Sequence, residues 1–355
     1  MKETKFRSGE EFLRFLETLE NEQTEWKLVP VSTLTLGLPV VTDISQAVRR
    51  DYTLSLPTGE VYFVPDGYAS SIFQRAALYG NALNLLPQEV VVDVENKALA
   101  ISTDNAKLLI RKDDPTYDGR CLAAHSELYS PISQQGIFSL SNQYFSNWFE
   151  GEFTHGFFCD DFTKASYKLK SKTLLKEYVT AFARAGKRTD FTGFSAAVTT
   201  SDVGISKVNI SVYGNVEKKE IPFGTLSTKH FGNNTIEQVQ ISLNEIFPLI
   251  KAKAETMAQL AALELAYPEN VLIQLFKKLK FAKKISTKLY DRYANLHEGV
   301  DSALNVFLEL TEYISELKAK GSDAMSIVEA EGKLAALTVD DFKSFDLPGT
   351  FTWAA

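Results

Sequence analysis

Two pairs of adjacent acids, Asp113/Asp114 and Asp160/Asp161, together with Asp202 and His230, are the side chains best suited to divalent-metal chemistry. Two-metal phosphodiester hydrolysis needs several carboxylates gathered around ions about 3.5–4 Å apart. No local spacing among these six builds that arrangement. A metal-dependent nuclease or hydrolase therefore requires a fold that brings them into one cleft, and polar surface turns are the simpler use of both acidic pairs. Cys121 and His125 are four apart in a segment that reads as β, and the four histidines form neither HExxH nor a short Cys/His zinc pattern. Cys159, beside Asp160 and Asp161, makes a poor nucleophile because adjacent negative charge raises a thiol pKa. The run AGKRT at 185–189 lacks the GxxxxGK[ST] pattern of a phosphate-binding loop. No cofactor is expected, and these residues do not decide between an enzyme and a binding protein.

Positive charge is the stronger signal. Lys277, Lys278, Lys280, Lys283, Lys284, Lys288 and Arg292 fall within 16 residues, with Asp291 the only acid, in a chain of net charge -7. Leu272, Leu275, Phe276, Leu279, Ile285 and Leu289 supply an apolar stripe beneath them. Two uses compete. The basic face pairs with the tail, where residues 301–355 hold ten acids and four bases, or it meets phosphates of an outside partner. A membrane surface fits less well, because the stretch lacks interfacial tryptophans. A second patch, YKLKSKTLLKEYVTAFARAGKR, interleaves Tyr167 and Tyr178 with basic side chains. Together the patches suit a groove for single-stranded DNA or RNA, where charge holds the backbone and aromatics stack on bases. The expected phosphate contacts are Lys168, Lys170, Lys172, Lys187, Arg188, Lys277, Lys280, Lys283, Lys284 and Lys288, with Tyr167 and Tyr178 as stacking candidates.

The elements that must carry these residues follow from periodicity. Residues 10–22 read as an amphipathic helix with Phe12, Phe15, Leu16 and Leu19 on one face. Residues 26–42 turn β-like, and a helix is expected from about Ser70. Between 90 and 110 the pattern suggests two strands, VVVDV followed by ALAIS or KLLIR, joined near 95–97. A helix is expected over 134–149 and a strand in GEFTHGFFCDD. Val208, Ile210 and Val212 alternate with Asn209 and Ser211, the signature of a half-buried strand. Beyond 235, helical patterns dominate over 236–266, 271–295 and 301–320, with Pro248 and Pro268 as breaks and Gly321 as a stop. The fold class expected is α+β: a mixed or antiparallel sheet body with a predominantly helical C-terminal third. The corresponding divisions are an N-terminal amphipathic helix over 1–25, an α+β core domain over 26–234 and a helical region over 235–355, either a separate subdomain or a cover for the sheet.

With 355 residues, 45% of them hydrophobic, the chain has ample material for a core. Two cysteines imply no disulfide framework and suit a reducing, cytoplasmic setting. The charged start does not read as a signal peptide, and no run approaches 18 apolar residues, so no membrane partner is expected.

Four segments, HSELYSPISQQGIF, TTSDVGISKVNISVY, LSTKHFGNN and EGVDSALNVFLELTEYI, occur in the order found in the phage/plasmid-like DUF932 family, which the chain resembles from about Trp26 to Leu317. Where that family commonly reads SHDGS, this chain has Ser201, Asp202, Val203, Gly204, Ile205 and Ser206, without the histidine. The family's arginine–histidine pair corresponds to Lys229–His230, and its cysteine-bearing segment to KVNISVY, without the cysteine. The resemblance implies a phage, prophage or plasmid setting rather than an activity. The leading expectation is a mobile-element protein that binds or anneals single-stranded nucleic acid without catalysis. The alternatives are a metal-dependent nuclease or hydrolase using the acids above, and a self-assembling interaction factor, a homo-oligomer held by the helical third.

Overall fold

The computed structural model describes residues 3–40, 50–186, 191–204, 207–216, 219–231, 236–322, 324–351 and 353. Two six-stranded sheets organise the body. The first runs in the order β1 (Thr4–Phe6), β8 (Glu152–Phe158), β9 (Thr163–Leu169), β10 (Phe191–Thr200), β11 (Val208–Val216) and β12 (Lys219–Thr228), antiparallel throughout. The second runs β2 (Thr24–Pro30), β6 (Asn105–Arg111), β7 (Arg120–Ser126), β5 (Val61–Val64), β4 (Tyr52–Ser55) and β3 (Thr35–Gly37), with one parallel pair, β5 and β7. With the helices below, this is an α+β fold with a largely helical C-terminal third.

The first sheet buries one face beneath helices. α1 (Gly9–Thr18) starts at Ser8, whose hydroxyl accepts from the Glu11 N–H, and it buries Phe12 and Leu16, four residues apart. Phe12 meets Phe138 of α4 (Gln134–Phe149), ring centroids 5.1 Å apart. α5 (Lys172–Arg184), α6 (Ile236–Asn244), α7 (Ile246–Ala262), α8 (Pro268–Lys278), α9 (Lys283–Leu296), α10 (Ala303–Ala319), α11 (Ala324–Ala335) and α12 (Val339–Phe345) contribute to the same continuous core. Their boundaries follow local chemistry. Pro248 falls in the first turn of α7, where its missing N–H costs nothing, and Pro268 opens α8. Gly321 takes φ +67° just past α10.

A separate core lies under the second sheet, covered by α2 (Asp66–Arg75) and α3 (Gln88–Ile101). Here the sequence reading needs correction. VVVDV and ALAIS are not strands but parts of α3, and only KLLIR enters a strand, β6. The valines favour β geometry in isolation. The helical spacing of Val91, Glu95 and Leu99, which places them all on the buried face, prevails. β11 is also not half-buried. Asn209 and Ser211 are buried as well, and Tyr213 on the same face donates to Glu331 of α11 at 2.7 Å, so a helix covers this side too. Finally, the basic stretch is not one helix. α8 and α9 are separated by residues 279–282, with Lys280 at φ +54°.

Candidate functional site

The two lysine-rich faces meet different fates. In the α8–α9 stretch, Lys278 pairs with Asp341, Lys288 with Glu316 at 2.6 Å and Arg292 with Glu309 at 2.5 Å. These partners all belong to the acidic tail. Lys277 is exposed and engaged with a partner. Lys280, Lys283 and Lys284 are exposed at the corner and make no ion pair among the described residues. In the second patch, Lys168 and Lys172 are exposed and Lys170 pairs with Glu152. Lys187 and Arg188 lie outside the described residues.

Tyr167 and Tyr178 are not stacking platforms. They are 2% and 1% exposed, and Tyr167 packs 4.7 Å from Phe145 inside the core. On β9, Lys168 points outward, so period-two alternation turns Tyr167 inward. On α5, Tyr178 shares the buried face of Leu174 and Phe182 at helical spacing.

The candidate metal ligands do not assemble. Arg120 separates Asp113 from Asp160, holding them at 2.5 and 2.7 Å. Asp161 accepts from the Tyr68 hydroxyl at 2.8 Å, and Asp114 accepts from the N–H groups of Thr116 and Tyr117, closing a turn. No group of three or more metal-ligating side chains occurs among the described residues. Cys121 and Cys159 are free and buried, and burial pushes the Cys121 thiol up to about 12, which makes it inert at neutral pH.

The sequence reading missed a polar junction between the two sheets. Tyr129 lies between His125 and His230, with ring centroids 3.8 and 5.5 Å away and planes nearly parallel, and Trp26 stacks at 5.4 Å. His125 Nε2 lies 2.6 Å from the Asp202 carbonyl, so that nitrogen carries the proton and Nδ1 is the acceptor. Gln134 donates to the Asp202 carboxylate and accepts from Thr163 at 2.6 Å, and Thr200 bonds His230 at 3.0 Å. Burial raises the Asp202 pKa, opposed by Gln134 and Arg111. Arg111 is 3% exposed and donates to Thr24, but its Nε has no partner and no carboxylate pairs with it among the described residues. A cavity of about 180 Å³ separates Trp26 and Arg111 from Gln134 and Asp202. Three of the four segments quoted for the family resemblance supply His125, Tyr129, Gln134, Asp202 and His230.

Burial lowers His125 and His230 to about 4 from an ordinary 6.5. A histidine held neutral in the fold and free to protonate when unfolded contributes stability above pH 6.5 that is lost as pH falls toward 4. The buried His230 alone accounts for about 3 kcal/mol across that window. Urea unfolding between pH 7 and 4 is expected to show this loss, and His230→Gln to flatten part of it. An unchanged slope in the variant contradicts the burial argument.

No helix of the described residues is long and apolar enough to cross a membrane. No family model, no curated protein sequence and no solved structure matches the chain.

Proposed function

We propose that this is a mobile-element protein that binds single-stranded nucleic acid through its phosphates at the α8–α9 corner. The observation that carries the reading is the trio Lys280, Lys283 and Lys284, exposed and without an ion pair among the described residues, on a chain of net charge -7 in which Lys278, Lys288 and Arg292 pair with the tail. An acidic protein that leaves three lysines together without counter-ions presents a local attraction for anions. The start of α9 adds to it, since no side chain caps that terminus and helix N-termini favour negative charge. The phage or plasmid setting is proposed from the order of the four sequence segments alone. With Tyr167 and Tyr178 in the core, affinity comes from backbone charge and carries little base preference.

Binding to fluorescent single strands across a salt series tests the proposal, with Lys280, Lys283 and Lys284 all replaced by alanine as comparison. Each phosphate contact on a single strand contributes about 0.7 to the log–log salt slope, so the variant is expected to lose about 2 from it. Equal slopes and affinities, or no binding by folded wild-type protein, would sink the reading.

A further inference from the structure

We propose that the hollow between α2, the end of β7 and Val203–Gly204 beyond β10 binds a phosphate-bearing ligand of nucleotide size, its phosphate on Arg75 and a hydrogen-bond donor on His125 Nδ1. This site is distinct from the lysine corner and does not rest on it. The hollow measures about 390 Å³, within the range of small-molecule sites, about 300–1,000 Å³.

Arg75 makes no ion pair and no side-chain hydrogen bond among the described residues, and its Nε is enclosed without a partner. That nitrogen is closed off by protein, but Arg75 itself lines the hollow, so a ligand there meets the rest of a guanidinium that has no protein acceptor among the described residues. Its place in the last turn of α2 suits a cation, because the carbonyl end of the helix is negative. That does not explain the company it keeps. Ser70 and Gln74, four apart on the same helix and exposed, also line the hollow, and no carboxylate lines it among the described residues. The lining is thus one permanent cation and neutral donors, which selects an anion.

The opposite wall selects more than phosphate. His125 commits Nε2 to the Asp202 carbonyl, leaving Nδ1 as a bare acceptor, and burial keeps the ring neutral at physiological pH. A bare acceptor calls for a ligand hydroxyl or amine. Gly204 lies over this ring at φ +83°, where an added Cβ would come 3.2 Å from His125 Cε1. Phe231, 55% exposed, and Val203 complete the wall with apolar surface suited to a flat ring. A nucleoside monophosphate combines an anion, hydroxyl or amine donors and a planar apolar body.

Isothermal titration of the full-length protein with adenosine monophosphate, adenosine and inorganic phosphate tests this. Adenosine monophosphate is expected to bind, and the other two at least tenfold more weakly. Arg75→Gln is expected to weaken it at least tenfold. Ser70→Asp, at an exposed position that leaves folding intact, repels the phosphate and gives the same loss by another route. The alanine variant of Lys280, Lys283 and Lys284 is expected to bind the nucleotide normally, which separates failure of this site from failure at the lysine corner. Short oligonucleotides with a 5′-phosphate or a 5′-hydroxyl show whether the phosphate comes from a free nucleotide or a strand end, and a preference for either source of phosphate supports the site. Phosphate binding as tightly as the nucleotide overturns the nucleotide assignment. No binding by wild type, or undiminished binding by both variants, overturns the site.

Discussion

Replacing Tyr178 with alanine is expected to cost about 3–5 kcal/mol of stability, the range for emptying a buried aromatic position. Its ring is stacked 4.0 Å from Phe191 and 4.8 Å from Phe182, and meets Phe194 edge-on at 6.2 Å. With Phe223 at 6.0 Å, removing it strips a partner from four rings at once and leaves a cavity where α5 meets the first sheet. Tyr178→Phe keeps the ring and is expected to cost less than about 1.5 kcal/mol. Urea denaturation followed by circular dichroism measures both. The contrast also bears on function. A base-stacking tyrosine would lose nucleic-acid affinity at unchanged stability, whereas this residue is expected to lose stability first. An alanine variant as stable as wild type would contradict the packing described here.

The opposite sign is expected at Glu95. Glu95→Leu should stabilise the protein by about 2–3 kcal/mol at pH 8, with the gain largely gone below pH 4.5. Glu95 is 0% exposed on the sheet-facing side of α3, and neither carboxyl oxygen has a partner among the described residues. Burial pushes its pKa up to about 7 from 4.5. A carboxyl with a raised native pKa costs nothing below 4.5, where it is protonated folded or unfolded. The cost grows as pH rises through 7, because the unfolded chain ionises freely and the native one must bury a charge. Leucine has no proton to lose and packs beside Val91 and Leu99. Paired urea titrations of wild type and variant at pH 4.5 and 8 decide it, since an equal difference at both values rules out ionisation as the cause. The histidines act in the other direction, losing stability as pH falls from 6.5. The leucine variant therefore isolates their contribution.

Legibility varied with the range of the interactions involved. Pro248, Pro268 and Gly321 marked helix boundaries because each acts on its own backbone, through a missing N–H or freedom to take positive φ. α4 was readable over 134–149 for a similar reason, its apolar spacing and Ser133 cap being local. VVVDV was misread because valine's preference for strands is a weak local term, overruled by the long-range packing of one face of α3 on a sheet. Charge was legible in amount but not in pairing. Lys278 and Asp341 lie 63 residues apart, and only the docking of α12 against α8 puts them together. Lys280, Lys283 and Lys284 make no ion pair among the described residues. Arg75, His125 and Gly204 come from three segments with no shared periodicity, so the hollow between them exists only once the two sheets have met. Composition and short-range stereochemistry act on neighbours in the chain and were written in it from the start. Burial of Tyr178, isolation of Arg75 and exposure of the lysine corner each depend on what arrives from elsewhere in the fold, through contacts that are individually weak and decisive only in sum.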